Sequence, residues 1–490
     1  MELLKNISGY LQRPLVRPWA LAGPVLILMI CLPMLYPLRQ PDPTRWHDEQ
    51  QMVAATVQAM VEQHSLAIDK SVFSNNPIAV SREGHVYSPY SPMLPALLAP
   101  FYWVLLKRGF DYSDNLIFVQ YLLTLIGACI PVALCVGLVY RLSRMFELRR
   151  LFRCSLGIAC VVCGGLISYG VVINRHAPAA LCLLIALSAS SHMAVSRHPQ
   201  RHLLTAVIAG MFAALAATLD PPAAIPAIML SLIFLAMRWS AAMRAGAVGL
   251  YILGALPVLV FNIMLIQAGP AQTMTWIPGV APEMLGEIRP SAPAAPVTPP
   301  LYIDSDDEEL DAAPSQLSVA WSRVAPWIGR LLESAIGEHG LLSHYPMLIL
   351  GMLGAIWVLH RNWTPTTKAM AGVTLLSCLL IIVMFTFANY RRMAYGTPWF
   401  VCASPMLLMW SGAWLKHTHR AQSWILVSAV CAISATAGIV GMSDPMPRAG
   451  YSGYSFAQAT VTMLKSSKPT EAGPRKQPSI VEGSTRPAER

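Results

Sequence analysis

The run "PMLPALLAPFYWVLL", from Pro92 to Leu106, decides how the whole chain is threaded. It is apolar but only 15 residues long, with prolines at 89, 92 and 95 at or near its start. A spanning helix needs roughly 20 predominantly apolar residues. If this run crossed a bilayer, every later loop would change side, and Arg141, Arg144, Arg149, Arg150 and Arg153 would lie outside. Read as an external interfacial or re-entrant helix, it leaves those arginines inside, as the positive-inside rule prefers. Ser91 is placed to cap this helix, and Pro92 suits its first position.

The surrounding composition demands a membrane reading. The 490 residues are 55% hydrophobic and 12% charged, against roughly 25% charged in a soluble domain. This excludes a soluble enzyme, a disordered chain and a nucleic-acid module, so no nucleic-acid partner is expected. Eleven apolar runs read as spans: 20–38, 115–140, 154–173, 177–195, 203–219, 223–237, 245–267, 341–359, 369–388, 398–415 and 421–442. None contains Asp, Glu, Lys or Arg. The first run lacks a following small-residue cleavage site and reads as a signal anchor. The short connections assigned to the inside hold 16 of the 35 Lys/Arg but only 2 of the 25 Asp/Glu, which sets the N-terminus in the cytoplasm and the C-terminal tail outside. The ten cysteines all fall in apolar runs, so no disulfide framework is expected, and the Cys160/Cys163 spacing reads as packing.

The expected organisation is an all-α polytopic membrane domain over 1–442 with two long external loops, 39–114 and 268–340, and an external tail, 443–490. Cytoplasmic connections are short, so any chemistry is extracytoplasmic. The second loop carries a Pro/Ala-rich stretch, 289–300, and the acidic run Asp304–Asp311, a composition that cannot bury a core. It is expected to be partly disordered, and the tail largely so.

The first loop is the informative one. In "RWHDEQQMVAATVQAMVEQHSLAID", from Arg45 to Asp69, Met52, Val53, Val57, Met60 and Val61 recur at helical spacing opposite Gln50, Gln51, Gln58, Glu62 and Gln63. This predicts an amphipathic helix on the outer membrane surface. Asp48 with Gln51 three residues later matches a capping box, and Glu49 would favour the positive end of the helix dipole. The same pair has a chemical reading. At the outer end of a bundle, a carboxylate can deprotonate a hydroxyl or supply oxygen to a hard divalent cation such as Mg or Mn.

These segments resemble the GT-C superfamily of polytopic glycosyltransferases, which includes protein O-mannosyltransferases and lipid A aminoarabinose transferases. The resemblance rests on Asp48 and Glu49 after the first span, then Tyr87, Ser88, Pro92, Leu94, Leu97, Leu98, Ala99 and Pro100. It continues through "NRHAPAALCLLIAL" from Asn174, "ATLDPPAAIPAIML" from Ala217, "EHGLLSHYPMLILGMLG" from Glu338 and "YGTPWFVCASPMLLM" from Tyr395. The ordered series covers about residues 45–410. The sequence departs from the family at Met93, where a glycine is frequent, and at Thr397-Pro398-Trp399, where a Gly-Pro-Arg motif is usual.

The resemblance implies a hexosyl- or pentosyltransferase of inverting type. It would move a sugar from a polyprenyl-phosphate donor in the membrane lipid to an acceptor hydroxyl on the extracytoplasmic face. The acceptor, whether protein, lipid or polysaccharide, is left open. Asp48 and Glu49 would be the catalytic pair, with Asp48 as base. Arg175, His176, Arg391 and Arg392 are external and basic at span ends and would bind donor phosphate; Arg82, His85, Tyr87 and Tyr90 would bind substrate. Two other readings stay open: a non-catalytic scaffold of the same fold, and a secondary transporter, which the charge-free spans and the absence of a repeat disfavour.

Overall fold

The computed structural model describes residues 18–43, 46–71, 73–76, 78–82, 84–195, 203–268, 328–329, 331–332, 334–336, 340–387, 397–417, 421–443 and 445. Arg391, Arg392, the body of the second external loop and the tail lie outside these residues. What is described is a helical bundle. Helix α1 (Pro18–Cys31) continues through a 3-10 turn (Leu32–Met34) and a helical turn (Tyr36–Arg39) before α2 (Asp48–Glu62). A hairpin of β1 (Val80–Arg82) and β2 (His85–Tyr87) leads to α3 (Met93–Lys107). The bundle proper then runs through α4 (Leu116–Thr124), a π-turn, α5 (Ile130–Leu142), α6 (Arg150–Val162), α7 (His176–Val195), α8 (Leu203–Leu219), α9 (Ala224–Leu230) and α10 (Ala241–Ala268). It closes with α11 (Met347–His360), α12 (Pro365–Phe387) and α13 (Ala421–Gly441), between which lie short helical pieces over 398–416.

Among the described residues, six helices are long and apolar enough to cross a membrane: Pro18–Arg39, Leu116–Phe146, His176–Met193, Ala241–Gln267, Pro365–Met384 and Ala421–Gly441. Together with the composition, they make this an integral multi-pass membrane protein. The other five expected spans are shorter or broken, so the count of eleven is not reproduced by helix length. The run 154–173 stops at Gly164-Gly165 and resumes as a 3-10 turn over Leu166–Gly170. Gly165 has φ +76°, and a β-carbon there would strike the Tyr345 ring, so only glycine fits the break. The run 398–415 is three short pieces, Pro398–Val401, Ser404–Leu408 and Ser411–Lys416.

The run that decided the threading forms α3, 15 residues and thus about 22 Å long at 1.5 Å per residue, too short for a bilayer core of roughly 30 Å. One face, Leu94, Leu98 and Tyr102, is buried; the other exposes Leu97, Phe101, Trp103 and Val104. An uncovered apolar face on a short helix suits an interfacial seat against lipid. Pro92 stands at its N-cap position rather than inside the first turn, and Ser91, one residue earlier, accepts the Met93 N–H at 3.3 Å.

The amphipathic helix α2 forms where expected, but not lying free on a surface. Gln50 is fully buried and Gln51 nearly so, and Asn76, from the chain that follows the helix, donates to Gln51 Oε1 at 2.7 Å. Its capping box is also not made. His47 stands at the N-cap position and Asp48 is the first helical residue, with no side-chain cap bond.

The two ends of the bundle differ in chemistry. At one end the arginine-bearing turn meets the connections around 363 and 416: Lys416 Nζ pairs with Glu147 at 2.7 Å, and Phe146 packs edge-on to Trp363 and Trp410. At the same end Arg153 donates to the Tyr140 carbonyl at 2.8 Å and stacks on its ring. The start of α2, the start of α7 and the end of α8 meet at the other end. Between them, α8 and α10 approach closely: a β-carbon on Gly210 would strike the Tyr251 carbonyl, and one on Gly254 the Val207 carbonyl. Small residues that let backbones touch are the usual basis of helix association in lipid.

Candidate functional site

The site is assembled from three chain junctions. Asn174 lies two residues before α7: its Oδ1 accepts the Ala177 N–H at 3.0 Å, while its Nδ2 donates to the Val172 carbonyl at 2.6 Å. Asn is a favoured capping residue for this reason. The cap fixes Arg175 and His176 at the helix entrance. Asp220 ends α8: the following Pro221 and Pro222 disfavour helical backbone at the preceding residue, and Asp220 is accordingly extended, φ −136° and ψ 115°. The third junction is the start of α2.

A continuous charged cluster results. Glu49 Oε1 accepts the Arg175 backbone N–H at 3.0 Å and lies 4.0 Å from Arg175 Nε. Arg175 Nε is 3.5 Å from Asp220 Oδ1. Asp220 Oδ2 is 2.7 Å from His176 Nδ1. The Arg175 guanidinium stands 5.3 Å over the Tyr90 ring, and the Tyr169 ring meets His176 edge-on at 5.4 Å. Asp220 is fully buried, and Glu49 and His176 nearly so. Buried carboxylates survive only when paired and hydrogen-bonded, and here one arginine serves two of them. Ser91 Oγ donates to the Thr218 carbonyl at 2.8 Å, which ties the segment before α3 to this same turn.

Asp48 differs from its neighbour. It is partly exposed, and its Oδ1 accepts from Asn76 Nδ2 at 3.0 Å. Among the described residues no cation stands within ion-pair distance of it. One carboxylate of the pair is therefore locked into the bundle and the other is left partly open.

The expected substrate residues separate. Tyr90 joins the cluster beneath Arg175. Tyr87 is nearly buried and packs with Leu66 and Ala67. His85 is exposed on β2 and pairs with Asp69 at 2.7 Å, while Arg82 pairs its backbone with His85 across the hairpin. Arg391 and Arg392, expected at the donor phosphate, lie outside the described residues. Asp220 is the member that the sequence alone does not assign to the site. The signal that marks it is an ionisable residue at the end of an otherwise charge-free span.

The arrangement does not favour a divalent cation at the Asp48/Glu49 pair. Glu49 is committed to Arg175, and the group facing Asp48 Oδ1 is an amide N–H, a donor, where a hard cation requires oxygen. Among the described residues no group of three or more His, Cys, Asp or Glu is placed to hold a metal ion.

The fold and site define a class: a multi-pass membrane protein with a buried carboxylate–arginine–histidine cluster and a partly open aspartate at one end of its bundle. No family model matches the sequence, and no curated protein matches it. By structure the chain is similar to the oligosaccharyltransferase of Archaeoglobus fulgidus. The apo form gives 12% identity and a TM-score of 0.45 over 89% of this chain and 57% of that one. The form tethered to an acceptor peptide gives 11% and 0.47 over 92% and 57%. The complex with an inhibitory peptide and a dolichol-phosphate gives 13% and 0.46 over 92% and 58%. The chain thus spans a little over half the length of those chains.

Proposed function

We propose that this protein is a membrane glycosyltransferase that moves a sugar from a polyprenyl-phosphate donor to an acceptor hydroxyl on the extracytoplasmic face. The observation that carries the reading is the contrast within the Asp48/Glu49 pair: Glu49 is tied to Arg175, whereas Asp48 is partly exposed, hydrogen-bonded on one oxygen and outside ion-pair reach of any described cation.

In this reading Asp48 takes the acceptor proton as the acceptor oxygen bonds to the anomeric carbon. The bond from that carbon to the phosphate oxygen breaks, and polyprenyl phosphate leaves. Attack opposite the leaving group gives inversion. A neutral hydroxyl needs such a base, and an anionic leaving group needs fixed donors or cations. Arg391 and Arg392 are assigned to the phosphate, with Arg175 and His176 at its edge. Arg175 is already shared between two carboxylates, so its contribution is chiefly to hold the site's shape. Tyr90, beneath Arg175, and the hairpin residues Tyr87, His85 and Arg82 are assigned to substrate. The acceptor is a protein, a lipid or a polysaccharide, and the sugar a hexose or a pentose.

The test uses the full chain in proteoliposomes with a panel of polyprenyl-phosphate hexoses and pentoses carrying a radiolabelled sugar, together with a membrane extract as acceptor source. Label moves to acceptor with wild type and not with a folded Asp48→Asn variant. If no donor releases its sugar, or if Asp48→Asn transfers normally, the reading is wrong. The internal compensation of Arg175 favours one second reading, a non-catalytic scaffold of the same fold. A null result across the panel with a stably folded wild type would support it.

A further inference from the structure

We infer that Asn76 is a positioning residue for the Asp48 carboxylate. The structural part of this inference stands on geometry alone; its kinetic part rests on the proposed role of Asp48 as base.

Asn76 lies in the irregular chain between α2 and β1, 28 residues after Asp48. Its amide is committed on both sides. Oδ1 accepts the Ile78 N–H at 3.0 Å, which fixes which way round the amide stands. Nδ2 therefore faces α2 and donates twice, to Asp48 Oδ1 at 3.0 Å and to Gln51 Oε1 at 2.7 Å. Gln51 passes the constraint on, donating through Nε2 to the Trp46 carbonyl at 2.9 Å and the Pro43 carbonyl at 3.2 Å. One side chain thus clamps the first turn of α2 to the segment that enters it.

The backbone carrying Asn76 is itself held. Its N–H donates to the Phe73 carbonyl at 3.1 Å, and its own carbonyl accepts from Ala79 at 3.0 Å. The buried Phe73 ring packs 5.8 Å from Trp46, whose indole N–H donates to the Gln40 carbonyl at 2.8 Å. An aspartate at the first position of a helix has several staggered rotamers open to it. A donor anchored at this many points selects one of them and leaves Asp48 Oδ2 without a partner among the described residues. A base must be held in the productive geometry to be effective, and this fixed hydrogen bond does so. Among the described residues, groups with charge or titration near this turn include His47, whose ring sits 4.5 Å from that of Tyr36, and Glu49 with its partner Arg175. None of them reproduces the contact that Asn76 makes.

Two variants separate positioning from folding. Asn76→Asp is nearly isosteric and keeps an acceptor for the Ile78 N–H, but turns an oxygen instead of an N–H toward Asp48. Asn76→Ala removes both bonds. The full chain in detergent is treated with a water-soluble carbodiimide and glycine ethyl ester near pH 6, and labelling of Asp48 is read by peptide mass spectrometry. Two facing carboxylates resist joint ionisation, so Asn76→Asp raises labelling of Asp48 by about tenfold, with a smaller rise for Asn76→Ala. Unchanged labelling in both variants at wild-type melting temperature overturns the inference, whatever the activity. Where a donor from the radiolabelled panel is turned over, kcat falls about tenfold or more while the donor KM stays within about twofold. An equal fall in kcat/KM carried by KM alone overturns the positioning role. If labelling responds but wild type transfers no sugar, the inference stands and the transferase reading falls.

Discussion

His176 and Asp220 stand 44 residues apart in the chain, yet His176 Nδ1 and Asp220 Oδ2 are 2.7 Å apart and both side chains are almost wholly out of solvent. The contact joins the entrance of α7 to the exit of α8, and Arg175 extends it to Glu49 on α2. A buried carboxylate that bridges a histidine and an arginine is costly to orphan and costly to remove.

Asp220→Ala takes the carboxylate away from His176 and leaves Arg175 with Glu49 alone. It is expected to destabilise the fold by about 3–5 kcal/mol, the range for breaking a buried pair. Asp220→Asn, which retains a group able to bond His176, should cost clearly less. Thermal unfolding of both variants in detergent checks the order.

The two adjacent carboxylates should part company on mutation. Glu49→Gln still accepts the Arg175 N–H but loses its charge beside the guanidinium, so stability falls by about 1–3 kcal/mol. Asp48→Asn should leave the melting temperature near wild type, because one hydrogen bond from Asn76 is exchanged for another amide arrangement, and should abolish sugar transfer. A matched pair of melting and transfer measurements reads both.

Tyr102 ties the far end of α2 to α3: its hydroxyl donates to Glu62 and accepts the Tyr112 N–H at 3.2 Å. Burial first, and then the Glu62 carboxylate, push its phenol well above the ordinary value. Tyr112 is pushed up in the same direction by its own burial. An unfolded phenol gives up its proton near pH 10, whereas the folded one keeps it. Stability from this group is therefore complete below about pH 10 and is lost as pH rises further. Tyr102→Phe is expected to cost about 1–3 kcal/mol at neutral pH. Its melting temperature should also fall less steeply than that of wild type between pH 9 and about pH 11.

The α8–α10 crossing has no room for a side chain at either glycine. Gly254→Val should destabilise by about 1–3 kcal/mol or more through overpacking, and Gly210→Val likewise. Gly246 on the same helix, where a β-carbon would meet nothing, should tolerate alanine. The melting temperatures of the three variants form the comparison.

How much of this was legible in advance follows from the range of each interaction. Apolar periodicity and run length are local, so α2 was visible from Met52, Val53, Val57 and Met60, and α3 from the run beginning at Pro92. Proline positions are local too, and Pro221 and Pro222 account for the end of α8 before Asp220. The burial of Gln51 was not legible, because it involves Asn76, 25 residues later in the chain. The capping box at Asp48 failed for a related reason: Asn76 offered Asp48 and Gln51 a better-placed donor than the helix end did.

The sequence by itself determined that the chain lives in a bilayer, where its spans can run, that Asp48 and Glu49 follow the first span and that Arg175 and His176 fall between two others, because partition into lipid is set by composition over some twenty consecutive residues. Only the tertiary structure decided that Asp220 closes the circuit between Arg175 and His176, that Glu49 is locked while Asp48 is open, and that Asn76 holds Asp48. Those are contacts of about 3 Å between residues 28 to 126 positions apart, and no local pattern encodes which distant donor will arrive at a given carboxylate.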